Sequence, residues 1–324
     1  MTDATTEAAV ERGVLSTDEA ADLAARLVDN VETVIVGKRT PIEHLVVAVL
    51  GRGHVLLEDV PGTGKTMLAR TVAKSVSGSF GRVQFTPDLL PGDVTGTHVF
   101  DESTGEFDFR EGPVFGNVVL ADEINRAPPK TQAALLEAME EGQVTADGTT
   151  YPLPDPFIVI ATMNAVERDR TYDLPLAEID RFTKQLSLGY PSVAEEREIL
   201  SRVAGDHPVR EVEAVMDVPT LRRLRATAAS VTVAEPVRDY VARLAADTRE
   251  HAALGVSTRA SIALLHAAQG RALLGGRDYV LPDDVQTEAS SVLTHRVRAD
   301  EGGRVGGPAA EQVVERALDR VRPE

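Results

Sequence analysis

Leu23, Leu27 and Val31 follow one another at four-residue steps, which puts apolar side chains on one face of a helix. The pattern predicts a first helix opening at Thr17. Ile35-Val36-Gly37-Lys38 interrupts it, and Pro41 to Leu50 reads as a second helix, with Pro41 in the first turn, where its missing N–H costs nothing. From His54 the period changes. His54-Val55-Leu56-Leu57, Val118-Val119-Leu120-Ala121 and Phe157-Ile158-Val159-Ile160-Ala161 are short, almost unbroken apolar runs, and Thr66 to Val76 between the first two is helical in character. Runs of this kind flanked by helices fit a parallel sheet buried on both faces, so the first two-thirds of the chain reads as α/β.

Two hairpins interrupt the alternation. Asp147-Gly148 stands between Val144-Thr145-Ala146 and Thr149-Thr150-Tyr151, a strong signal for a type I′ turn. Val99-Phe100 and Phe107-Asp108-Phe109 flank Ser103-Thr104-Gly105, a second candidate hairpin with its aromatics on one face. After Pro191 strand signals stop. Ala194–Val203, Pro219–Ala228, Pro236–Glu250, Thr258–Leu274 and Pro282–Val297 read as helices, with Pro219, Pro236 and Pro282 near helix starts and Gly275-Gly276 after a helix end. A flexible stretch, Gly302 to Pro308, is expected before a last short helix. The resulting division is a frayed tail over residues 1–20, an α/β core over 21–190 and an all-helical domain over 191–324.

Composition adds constraints. The 324 residues carry 51 acidic and 34 basic side chains, a formal net charge of −17, which opposes binding to nucleic-acid phosphates. No basic stripe offsets that charge, and Arg222-Arg223-Leu224-Arg225 reads as the exposed face of one helix. The absence of cysteine excludes disulfides and thiolate metal sites. Neither a signal peptide nor an apolar run of about 20 residues is visible, so direct membrane insertion is not expected and the expected location is cytoplasmic.

The chemistry-bearing residues follow the apolar runs. Asp59-Val60-Pro61-Gly62-Thr63-Gly64-Lys65-Thr66 lies between a strand and a helix, where backbone N–H groups and the helix dipole converge on phosphate oxygens. Lys65 would reach the β- and γ-phosphates and Thr66 would ligate Mg²⁺. The usual first glycine of this motif is Asp59. Asp122, ending the second apolar run, suits the hydration shell of Mg²⁺, and Glu123 suits deprotonation of the attacking water. Taken alone, the two acids also fit the cap of a following helix. Asn164 after the third run could bond both the γ-phosphate and the lytic water, although an isolated Asn there is usually a turn residue.

Gly-Thr-Gly-Lys-Thr at 62–66, Ala-Asp-Glu-Ile-Asn-Arg-Ala at 121–127 and Leu-Pro-x-Ala-x-x-Asp-Arg-Phe at 174–182 resemble the MoxR family of AAA+ ATPases, as do Phe85-Thr86-Pro87-Asp88-Leu89-Leu90-Pro91 and Gly112-Pro113. The resemblance runs from Val36 to His295, and magnesium-chelatase ATPase subunits are similar but more distant. It implies a P-loop AAA+ core with a five-stranded parallel sheet and a small helical lid. Val36 and Gly37 would touch adenine, and Pro61 to Met67 would form the phosphate loop, with Lys65 and Thr66 as its Walker A pair. Asp122 and Glu123 would be Walker B, Asn164 sensor 1, Arg181 the arginine finger and Arg259 sensor 2 on the lid. The cofactors implied are ATP and Mg²⁺, with hairpins at 93–110 and 143–153. The implied partners are copies of itself in a ring, usually a hexamer, and a separate protein client, possibly one with a von Willebrand factor A domain. ATP would fix the lid against the core and hydrolysis would release it. An ATP-dependent scaffold with little hydrolysis and a chelatase-like motor remain alternatives. Arg126 fits either a subunit interface or a surface pair. Two departures from the family pattern, Ala165 after sensor 1 and Leu176 before the finger, touch loop and interface positions.

Overall fold

A computed structural model describes residues 13–164, 172, 174–203, 212–300 and 305–323 of the chain. Ala165, residues 1–12 of the expected tail and 302–304 of the expected flexible stretch lie outside these. The last part of the tail is folded: Leu15 and Ala20 are buried, and the Ser16 hydroxyl caps the first helix by accepting the N–H of Glu19. Helices α1 (Thr17–Glu32) and α2 (Arg39–Leu50) precede β1 (Val55–Asp59) and α3 (Lys65–Ser75). Then come β2 (Phe80–Gln84), α4 (Pro91–Thr95), β3 (Gly96–Asp101), β4 (Glu106–Glu111) and β5 (Val118–Asp122). Helix α5 (Pro129–Glu141), β6 (Gln143–Ala146), β7 (Thr149–Pro152), β8 (Ile158–Asn164), α6 (Leu176–Ile179) and β9 (Lys184–Leu186) complete the α/β part.

Five strands form one parallel sheet in the order β2-β5-β8-β1-β9. Both faces are buried, as the apolar runs require. Leu56, Val119 and Val159 pack with α5 on one face, while Val55, Leu57, Val118, Leu120, Ile158 and Ile160 pack with α1–α3 on the other. The expected hairpins are β3–β4 and β6–β7, and Asp147 and Gly148 both have positive φ, 48° and 81°, as a type I′ turn needs. Their aromatics join them: Phe109 of β4 stacks on Tyr151 of β7 at 3.9 Å between centroids, and Phe100 and Phe107 meet at 5.2 Å toward the exposed tip.

The helical third consists of α7 (Val193–Val203), α8 (Val218–Ser230), α9 (Glu235–His251), α10 (Thr258–Leu274), α11 (Pro282–Leu293) and α12 (Gly307–Arg320). Gly307 and Pro308 thus open the last helix rather than belonging to a linker. The core of α8–α12 is continuous with that under α1–α3: Leu264, Ala267 and Ala268 of α10 share one apolar cluster with Leu45, Val47 and Leu50 of α2. A cluster of charges seals the same joint. Lys184 of β9 and Glu288 of α11 form a fully buried ion pair, with Arg271, His44 and Glu43 around it. Burial pushes the Glu288 carboxyl up, but Lys184, His44 and Arg271 outweigh it and hold the group down at about 2. Apolar packing and a buried ion pair thus both join the helical third to the sheet and α2.

Arg225 departs from the exposed face expected for it. Arg222 and Arg223 are exposed as expected, but Arg225 is buried with Leu221, Leu224 and Ala228, and its Nε donates to the Val49 carbonyl at the end of α2. Burial lowers its guanidinium pKa to about 10. Among the described residues no helix is long and apolar enough to cross a membrane.

Candidate active site

The carboxyl ends of β1, β5 and β8 lie side by side, the edge where parallel α/β sheets bind ligands. β1 runs directly into the loop Val60–Gly64, whose Gly62 and Gly64 hold φ of 83° and 89°, a left-handed turn that side chains resist. Lys65 and Thr66 open α3, so the loop N–H groups and the helix dipole point one way. The Lys65 ammonium bonds back to the carbonyls of Asp59 (3.1 Å) and Val60 (3.3 Å). Burial lowers its pKa, opposed by the nearby carboxylates Asp59, Asp122 and Glu123.

Beside the loop is a cavity of about 180 Å³ lined by Val34, Ile35, Val36, Gly64, Met67 and Pro191 among others, apolar and of a size for a purine ring. Val36 is among its lining residues. Gly37 lies next to it with φ of 70°, packed so closely on Glu195 that a Cβ would collide. Asp59, standing where a glycine is usual, is a buried anchor. Its carboxylate accepts the N–H of Leu188 (2.7 Å), Gly189 (2.9 Å) and Val60 (2.9 Å), tying the segment after β9, which also lines the cavity, to the phosphate loop. Asp59→Gly restores the usual residue yet is expected to destabilise the protein by roughly 2–4 kcal/mol, because buried N–H groups left unpaired cost about 1–3 kcal/mol each. A urea midpoint equal to that of the wild type would show that the anchor contributes nothing.

Asp122 ends β5 and Glu123 follows it. Thr162 of β8 aligns both: its hydroxyl donates to Asp122 Oδ1 at 2.8 Å and accepts the Glu123 N–H at 2.8 Å. Asp122 Oδ2 accepts from Arg82 of β2 at 2.8 Å. Glu123 has a left-handed backbone, φ 57°, and its Oε2 accepts from Arg126 (2.7 Å) and from Gln84 Nε2 at the end of β2 (3.0 Å). Arg126 is thus a local partner of Glu123. Asn164 is buried at the end of β8, in register with Asp59. Thr162, Arg82 and Gln84 were not identified from sequence as site residues. Thr162 sits two positions before Asn164 in the same strand, which is the signal that places it on this edge.

Arg181 and Arg259 stand elsewhere. β9 pairs with β1 in parallel with Lys184 opposite Val55, so Arg181 lies beyond the amino end of the sheet. The phosphate loop is at the other end, about 13 Å away for a strand of this length. Arg181 donates to the Leu136 carbonyl at 2.8 Å and pairs with Glu140 near the end of α5. Arg259, in the first turn of α10, pairs with the same carboxylate. Asp180, a candidate partner for Arg181, is held instead by Arg296 and by the Ser257 hydroxyl. The structure therefore gathers loop, acid pair and Asn164 at one edge and both arginines at the other, with Arg259 beside Glu140 rather than beside the phosphate loop of its own chain.

Comparison with known proteins gives the same division. A model of the ATPase family associated with various cellular activities matches residues 54–184, and an AAA lid domain model matches 244–317. The uncharacterized protein YeaC of Bacillus subtilis is 48% identical, over 93% of this chain and 94% of that one. Chaperone MoxR1 of Mycobacterium tuberculosis is 42% identical over 91% of this chain and 81% of its own length, and protein MoxR of Paracoccus denitrificans 36% over 82% and 85%. A crystal structure from Cytophaga hutchinsonii superposes with a TM-score of 0.89 at 37% identity, covering 99% of this chain and all of that one. Similarity that runs through core and lid alike, well beyond the nucleotide loop, places the chain in the MoxR family of AAA+ ATPases.

Proposed function

We propose that this chain hydrolyses ATP as a ring oligomer, with each active site completed by the neighbouring subunit, and uses the cycle to remodel a protein client. One observation carries the reading: the phosphate loop and the two arginines occupy opposite edges of one sheet, so a single chain cannot complete its own site. A ring of head-to-tail contacts brings such edges together. The loop, the cavity beside Val36 and the Asp122–Thr162 pair suit ATP with Mg²⁺; Thr66 and Asp122 would hold the ion, which would neutralise phosphate charge. Lys65 binds the β- and γ-phosphates, Glu123 takes a proton from the attacking water, Asn164 orients that water, and Arg181 with Arg259 stabilises charge from the next subunit. The two hairpins, joined through Phe109 and Tyr151, are the surface for the client. A von Willebrand factor A domain in that client rests on the family resemblance alone. The engagement of Glu123 by Arg126 and Gln84 favours, as a second reading, a scaffold that binds ATP without hydrolysing it.

Specific ATPase activity measured against protein concentration, with ring size followed by sedimentation, separates the readings. Activity per subunit is expected to rise as rings form. A flat, non-zero activity overturns the shared site, and bound ATP without turnover at any concentration favours the scaffold.

A further inference from the structure

The loop that carries Arg181 is held from the helical domain by one buried side chain. Arg296, in the 3-10 turn after α11, is 3% exposed. Its guanidinium donates through Nε to Asp180 Oδ1 (2.6 Å), through Nη2 to the carbonyls of Asp180 (2.9 Å) and Phe182 (2.8 Å), and through Nη1 to that of Thr183 (3.2 Å). These acceptors bracket Arg181 in sequence. The ring of His295 adds a contact to the Phe182 carbonyl at 3.1 Å, and the Ser257 hydroxyl, which caps the helix of Arg259, bonds Asp180 at 3.0 Å. One carboxylate thus links Arg296, the Arg181 loop and the start of α10.

A buried guanidinium is expensive, and a joint with a continuous apolar core does not need one to stay closed. What the rigid fork of donors adds is direction: several bonds from one plane fix the position and tilt of the peptide that projects Arg181. A charge-stabilising group displaced by about 1 Å can lose on the order of 10² in rate, so such a fixture matters for an arginine that must reach another subunit.

We propose that Arg296 is a positioning residue for Arg181, setting from the helical domain the loop that delivers this arginine to the neighbouring subunit's nucleotide. The proposal rests on the shared-site reading above. It assigns the helical domain a role in catalysis at the next site.

The test is subunit complementation in the full-length protein. Arg296→Lys keeps the charge and loses the fork; it is expected to bind a fluorescent ATP analogue like the wild type, to form rings, and to turn over about 10²-fold more slowly. Glu123→Gln has an intact Arg181 loop and no base. Mixed rings of the two are expected to regain turnover well above either parent, because Glu123→Gln subunits supply a placed arginine to live sites of Arg296→Lys subunits. A merely structural role for Arg296 leaves its own site damaged, and mixing rescues nothing. Arg181→Ala mixed with Glu123→Gln is the control. If that pair complements and the Arg296→Lys pair does not, the positioning role falls and the shared site stands. If neither complements although mixed rings form, the shared site falls and the proposal with it. Undiminished turnover in homomeric Arg296→Lys also overturns it. Should Arg296→Lys fail to fold, Asp180→Asn, which removes the carboxylate and leaves the carbonyl contacts, carries the same mixing test.

Discussion

Glu123→Gln is expected to slow ATP turnover by about 10²–10⁴, the usual contribution of a positioned general base, while ATP remains bound. The side-chain amide is isosteric and its oxygen can still accept from Arg126 and Gln84, which the carboxylate does at 2.7 and 3.0 Å. The left-handed backbone is held by the Thr162 hydroxyl at 2.8 Å and is untouched. Lys65 and the loop glycines are untouched, and one fewer negative charge faces the loop. Single-turnover hydrolysis beside equilibrium nucleotide binding separates the effects. Equal rates would remove Glu123 from the chemistry and leave it a clamp on Arg126.

The sheet was legible in the chain where burial is complete. β1, β5 and β8 are central strands buried on both faces, and each shows as a nearly unbroken apolar run. The edge strands escaped notice. β2, Phe80-Gly81-Arg82-Val83-Gln84, exposes Arg82 and Gln84, and β9 spans three residues with a buried lysine in it. Their existence followed from the family resemblance, not from the pattern. Lys184 is tolerated there only because Glu288, 104 positions later, meets it. Arg225 was readable in principle: Leu221, Leu224, Arg225 and Ala228 fall on one helical stripe, and an arginine on such a stripe is buried with its head bonded.

Site residues divided along the same line. Asp122 and Asn164 end strands, Glu123 follows one and Lys65 follows one across a short loop, all in short motifs, so local sequence gives both identity and place. The partners that set their geometry come from distant segments: Thr162 for the acid pair, Leu188 and Gly189 for Asp59, Glu140 for Arg181 and Arg259. No spacing rule reports such meetings. The helical domain was likewise recognisable as helices, but its shared core with α2 and its grip on Asp180 exist only once the chain is folded.

Arg181→Ala is expected to cost about 10³–10⁵ in turnover, the range found for arginines supplied to a phosphoryl group in trans, with nucleotide affinity and thermal stability close to wild type. Stability should hold because the Arg181–Glu140 pair is partly exposed, a class of pair that contributes about 0–1 kcal/mol, and Arg259 remains on the same carboxylate. The truncation leaves the phosphate loop, on the opposite edge, intact. Turnover, nucleotide affinity and melting temperature measured on one preparation give the decision. A large loss of turnover alone assigns Arg181 to the neighbour's chemistry. A proportionate fall in melting temperature assigns it to the α5 joint, and unchanged turnover leaves the shared site without its arginine.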